Sequence, residues 1–193
     1  MSTPQESLQQ WTQQVRHYHI PRYEELPSIE LYMDQVVAVI DDYLRIFLRD
    51  AKERRLTPAM INNYVKLRIL PPPVKKRYNR THLCHLIIIC LLKQVLSISE
   101  IRDLIASQLE VHDMQTVYDD FCSMQEQSLI ITLDNVDLPV DDSVPSFAYA
   151  TLRVAVHANV NKMIAEKMID IQNPPSEEKE KKKDKKVEAR LSN

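Results

Sequence analysis

Residues 62–78 read "NNYVKLRILPPPVKKRY": two amides, three prolines, five cationic residues and two tyrosines in one short stretch. Just upstream, "LTPAM" offers Thr57 as an N-cap and Pro58 at the first helical position, where the missing N–H of proline costs nothing. A helix over 57–67 follows. Pro71, Pro72 and Pro73 forbid its continuation, because each lacks a donor and clashes with the preceding turn. What comes next is the basic run Lys75, Lys76, Arg77, and then Asn79, a side chain suited to cap another helix over 80–96. The centre of that helix, "LIIICLL" at 86–92, is apolar on every side, which predicts a buried central helix.

The pattern extends in both directions. Ser28 is placed to cap a helix over 29–49, with Leu31, Val36, Val39, Ile40, Tyr43, Leu44 and Phe47 at helical spacing. Ser97 and Glu100 in "SISE" form a capping box that opens a helix to about 108. Helices over 112–128 and 146–171 come next, separated by the acidic loop "LDNVDLPVDDSVP". Residues 1–27, thin in apolar content until Leu26, read as a loosely ordered arm, and 173–193 as a disordered charged tail. The chain therefore divides into an arm (1–27), a helical domain (28–109), a C-terminal helical subdomain (110–172) and the tail. The 193 residues contain no glycine, which favours helices with short connections over hairpins that need positive φ.

Net charge is −2, but it is unevenly distributed. From Arg49 to Thr81 there are ten Lys or Arg against two acids, a balance of +8, whereas Val111 to Ala150 holds eight acids and no Lys or Arg. A basic block around a short helix is the footprint of a phosphate-backbone binder; a solvated basic face has the same composition. The longest apolar run is seven residues, far short of the roughly 20 that span a membrane, and no signal peptide is visible. Three cysteines without a C-x-x-C pair point to a reducing compartment, the cytoplasm.

The order of these features resembles the winged helix-turn-helix of mercury-resistance-type (MerR-type) regulators. That family has a recognition helix ending in Tyr-x-x-x-Gly-Leu-Leu-Pro, a wing with Arg-x-Tyr or Arg-Arg-Tyr, and a capped helix leading through a Leu-x-Glu-Ile step. The corresponding positions here are Tyr64, "LRILPPP" at 67–73, "KKRYN" at 75–79 and "LSISEIRDL" at 96–104. Asn62 stands where that family usually presents arginine, and Arg68 where its helix ends on glycine. A second resemblance covers Leu26 to Leu104: "LP...LYMDQV" followed by "LT..MINNY.K...LPPPVKKRY" is similar to an uncharacterised bacterial family of domains of unknown function, family 1836.

The expected fold is mainly α: a winged helix-turn-helix-like core, its basic wing at most a minimal β-hairpin, followed by a C-terminal helical extension. The resemblance implies a sequence-specific DNA-binding transcriptional regulator. In it Thr57, Ala59, Asn62, Asn63 and Lys66 face the groove of double-stranded DNA, with Asn able to pair bidentately with adenine. Lys75, Lys76, Arg77 and Arg80 contact phosphates. Met60, Ile61, Tyr64 and Tyr78 belong to the core. A homodimer is expected, since such proteins read paired half-sites. The alternative is a non-enzymatic protein-interaction module on the same scaffold. His82, Cys84 and His85 share one helix, but two histidines at i, i+3 do not complete a metal site. With no Gly-rich phosphate loop or nucleophile elbow, no catalytic, cofactor or metal residues are assigned and an enzyme is not expected.

Overall fold

The computed structural model describes residues 2–47, 56–136 and 138–172. Arg49, Lys52, Arg54 and Arg55 of the basic block and the expected disordered tail lie outside them. The described residues form seven α-helices: α1 (Pro4–Arg16), α2 (Met33–Tyr43), α3 (Pro58–Lys66), α4 (Arg80–Leu92), α5 (Ile98–Leu109), α6 (Met114–Asn135) and α7 (Val144–Gln172). Pairing between extended segments is limited, among these residues, to two isolated antiparallel bridges, Leu31 with Tyr78 and Val74 with Arg77. The mainly helical class is as expected. The described residues fall into two units, divided after Val154 within α7.

In the first unit α4 is the hub, packing against α2, α5 and α6. Leu83, Cys84, Leu86, Ile87, Ile88 and Ile89 are all buried, so the all-round apolar sequence is matched by an all-round environment. Its start is fixed by Asn79, whose side-chain oxygen accepts from the His82 N–H at 3.3 Å. The Ser97–Glu100 box opens α5 as read, with both reciprocal bonds present.

Several boundaries differ from the sequence reading, among them the end of α6, which runs to Asn135 and takes in the start of the stretch read as an acidic loop, where 128 was expected. The N-terminal arm is helical: Thr3 and Glu6 exchange capping-box bonds at 3.2 and 3.0 Å, and α1 packs on α6. α2 begins after Tyr32, not at 29, because the Leu31 backbone is bonded in both directions to Tyr78 at 2.8 and 2.9 Å. α4 stops at Leu92 with Lys93 as its cap, and a turn leads into Leu96.

Residues 20–23 form a strap stitched to α6. The Ile20 N–H donates to Glu126 at 2.7 Å, the Tyr23 N–H to Asp119 at 2.7 Å, and the Tyr118 hydroxyl to the Pro21 carbonyl at 2.7 Å. Tyr118 is fully buried, which holds its phenol un-ionised far above the ordinary range.

His82 and His85 are also buried, and that burial pushes both imidazoles below the ordinary value. His82 bonds Asn79 through Nδ1, while its Nε2 is enclosed without a hydrogen-bond partner of good geometry, the Pro71 and Pro72 carbonyls acting on the ring. The His85 Nδ1 donates to the Thr81 carbonyl at 2.8 Å. An imidazole held neutral in the fold gains its proton more readily in the unfolded chain, so stability is complete above the unfolded pKa of about 6.5. Below that value it declines until the lowered folded pKa is passed. Urea unfolding at a series of pH values should show a decline that starts near 6.5, with a limit of about 1.4 kcal/mol per pH unit for each histidine. Replacing both by Gln should flatten the curve in that window; an unchanged slope would contradict the assignment.

Candidate nucleic-acid interface

α3 is short, and its two faces have separate tasks. Thr57 caps it by accepting the Met60 N–H at 3.2 Å. Ile61 and Tyr64 are buried at 0% and 3% exposure, and Met60 is half-buried. Thr57, Ala59, Asn62, Asn63 and Lys66 are exposed. Positions 59, 62, 63 and 66 follow i, i+3, i+4, i+7 spacing, so they form one solvent-facing strip.

The helix ends in a Schellman arrangement: the Ile69 N–H reaches the Tyr64 carbonyl and the Arg68 N–H the Val65 carbonyl, each at 3.1 Å. This geometry requires a left-handed residue, and Arg68 occupies it at φ 57°. Ile69 and Leu70 then turn inward, the three prolines carry the chain across, and Val74–Arg77 closes a two-residue hairpin with the Arg77 N–H on the Val74 carbonyl at 2.9 Å. Both tip residues, Lys75 at φ 50° and Lys76 at φ 63°, have the positive φ of a type I′ turn, a place normally taken by Asn-Gly. Tyr78 returns to the core at 2% exposure through its bridge to Leu31.

All three positive-φ residues of the described chain are therefore cationic, and they lie within nine positions of one another. A non-glycine residue in this region costs about 1–2 kcal/mol. Such strain concentrates at working surfaces. Lys66, Arg68, Lys75 and Lys76 are all exposed, and no acidic side chain among the described residues pairs with them. Arg77 is oriented: its guanidinium lies 4.9 Å from the Tyr32 ring centroid and donates to the Tyr32 hydroxyl at 3.0 Å.

Arg80 is placed differently. It is half-buried and donates to the Leu26 carbonyl at 3.0 Å, the Glu24 carboxylate at 2.5 Å and the Glu24 carbonyl at 3.1 Å, which ties the segment just after the strap to the start of α4. The structure thus brings together Ala59, Asn62, Asn63 and Lys66 on one strip and Lys75, Lys76 and Arg77 on one hairpin, and assigns Arg80 to the scaffold. Tyr32 joins the surface without having been singled out by sequence, and Arg68, which sequence marked only as standing in the place of a helix-ending glycine, is exposed just after the α3 strip in the chain. The departure from a compact helix-turn-helix lies between α2 and α3. Leu44 to Thr57 connect them, whereas that motif uses a turn of about three or four residues.

Of the groups considered for metal, His82, Cys84 and His85 are buried and engaged in packing, with the Cys84 thiol pushed far up by burial. Among the described residues no group of three or more His, Cys, Asp or Glu is arranged to hold a metal ion, and no helix is long and apolar enough to cross a membrane.

Residues 21–121, from the strap through the first turns of α6, match the family model described as a domain of unknown function, DUF1836. The chain belongs to this family. The matched span contains the whole of α3, the hairpin and α4. No curated protein and no solved structure matches the chain, and the family match lends no support to the likeness to mercury-resistance-type regulators.

Proposed function

We propose that this chain is a DNA-binding transcriptional regulator that lays the exposed strip of α3 against a groove of duplex DNA and sets the Lys75–Lys76 tip on the phosphate backbone. The observation that carries the reading is the exposed cationic turn, in which residues that strain the backbone are kept without an acidic partner among the described residues. Asn62 and Asn63 supply amide edges for base contacts, and Lys66, Lys75, Lys76 and Arg77 supply charge. A homodimer fits this reading, because two such faces read paired half-sites.

A protein-docking role is the second reading. It is favoured by apolar side chains at the same turn: Tyr32, which holds Arg77, and Val74 are exposed at 53% and 66%. An acidic partner with an apolar centre would fit them.

Selection from a random duplex pool at two salt concentrations separates the two. The DNA reading expects an enriched motif that the Lys75→Ala/Lys76→Ala/Arg77→Ala variant fails to enrich. If each residue neutralises one phosphate, the slope of log K against log salt should fall by about 2.7 in that variant. Lys75→Asn/Lys76→Gly restores the residues a type I′ turn prefers. It should raise stability by about 1–2 kcal/mol while lowering the slope by about 1.8. Salt-insensitive absence of binding by the native protein would leave protein docking as the function.

A further inference from the structure

α4, α5 and α6 border a cleft of about 580 Å³ that takes no part in the surface just described. Its walls are apolar: Ile88 and Leu92 from α4, Leu104 and Ile105 from α5, Phe121 and Met124 from α6. Pockets that hold drug-sized molecules are about 300–1,000 Å³, mostly apolar, with a few polar groups that fix orientation. This cleft has that size and that lining.

Charge narrows the ligand class. The two ionisable groups on its lining are Asp120 and His112. The Asp120 carboxylate is exposed and has no hydrogen bond or ion pair among the described residues, whereas the adjacent Asp119 is occupied by the Tyr23 N–H. No Lys or Arg lines the cleft, and residues 111–150 contain none. An anionic ligand would bring a second negative charge to Asp120 with no fixed cation to offset it. A neutral apolar ligand would fill the walls and leave the carboxylate unused.

We infer that the cleft binds a cationic amphiphile, with its hydrocarbon or aromatic body against the α4–α5–α6 walls and one protonated amine at Asp120. The Gln108 side chain lies on the same lining and can share the ammonium donors through its amide oxygen. The inference stands apart from the DNA reading, so either can fail alone.

Octylamine, octanol and octanoate share one apolar body and differ in head charge, which makes them the probes. Titrated into the full chain and followed by calorimetry, octylamine should bind saturably and about fivefold more tightly than octanol, with octanoate about fivefold weaker than octanol. Asp120→Asn, at an exposed position, should make amine and alcohol equal. Leu104→Trp, at a half-exposed wall position, should fill the cleft and abolish both, with circular dichroism confirming that each variant folds. Equal affinity for amine and alcohol in the native protein would overturn the charge assignment. Amine binding that survives both variants would place it elsewhere on the acidic surface, and no binding at millimolar concentrations would rule out the site.

Discussion

Glu126→Ala should lower the unfolding free energy by about 2–4 kcal/mol, which in a chain of this size is roughly 5–15 °C in Tm. Glu126 closes the joint between the 20–23 strap and α6 by accepting three donors: the Ile20 N–H at 2.7 Å and the two Arg22 guanidinium nitrogens at 2.9 and 2.5 Å. The side chains of the pair are 19% and 26% exposed, so removal of the carboxylate leaves a guanidinium and a backbone N–H poorly solvated. Burial alone would push the Glu126 carboxyl up, but the Arg22 and Ile20 bonds outweigh it and hold it below the ordinary value. A carboxylate with a lowered folded pKa stabilises the fold above its unfolded pKa, and that contribution is lost as pH falls through the folded value. The acid limb below about pH 4.5 should therefore shrink in the variant, while the histidine limb that begins near 6.5 stays. Glu126→Gln keeps one carbonyl acceptor and should lose about half as much. A loss under about 1 kcal/mol for Glu126→Ala would mean that the strap is held by Tyr118 and Asp119 instead.

The parts of the molecule that sequence revealed are those whose boundaries are set by neighbouring side chains. Thr57 with Pro58, Asn79, and Ser97 with Glu100 cap α3, α4 and α5 within three residues of themselves, and each was readable for that reason. α1 carried an equally local signal, the Thr3–Glu6 box with Pro4 at the first turn, but its sparse apolar content masked it. The start of α2 was not local at all. Ser28 is a reasonable cap in isolation, yet the Leu31 backbone is held by Tyr78, 47 positions along the chain by the numbering of the pair. Arg80 shows the same limit in the candidate site: its charge was legible, whereas the Glu24 carboxylate that occupies it is brought there by the fold. The left-handed turn at Lys75 and Lys76 had no glycine to mark it, whereas Arg68 was marked only by the glycine it replaces in the resembled family; the chain on either side is fixed by hydrogen bonds to the backbone of the buried Tyr64 and Tyr78.

Leu86→Ala tests whether α4 is the packing hub of the first unit, and its expected cost is about 2–5 kcal/mol. Leu86 is fully buried on a helix that packs against α2, α5 and α6, so truncation leaves a cavity bordered by several elements. Helix propensity does not enter, since alanine is at least as good a helix former as leucine. The loss should appear as a lower denaturant midpoint with an unchanged slope, the sign of altered stability in an otherwise similar fold. Leu86 is fully buried on α4 and is not itself in the proposed contact set on α3 and the hairpin tip, so DNA affinity measured well below the melting temperature should stay within about twofold of native. Ile61→Ala is the informative comparison. Ile61 is equally buried but lies on the inner side of α3, directly behind Asn62 and Asn63 in sequence. Its truncation should cost a similar amount of stability and also loosen the strip from which those amides project, so that affinity falls along with it. Should both variants lose stability and neither lose affinity, the strip would not be what reads DNA; loss of affinity in Ile61→Ala alone ties base contact to the seating of α3.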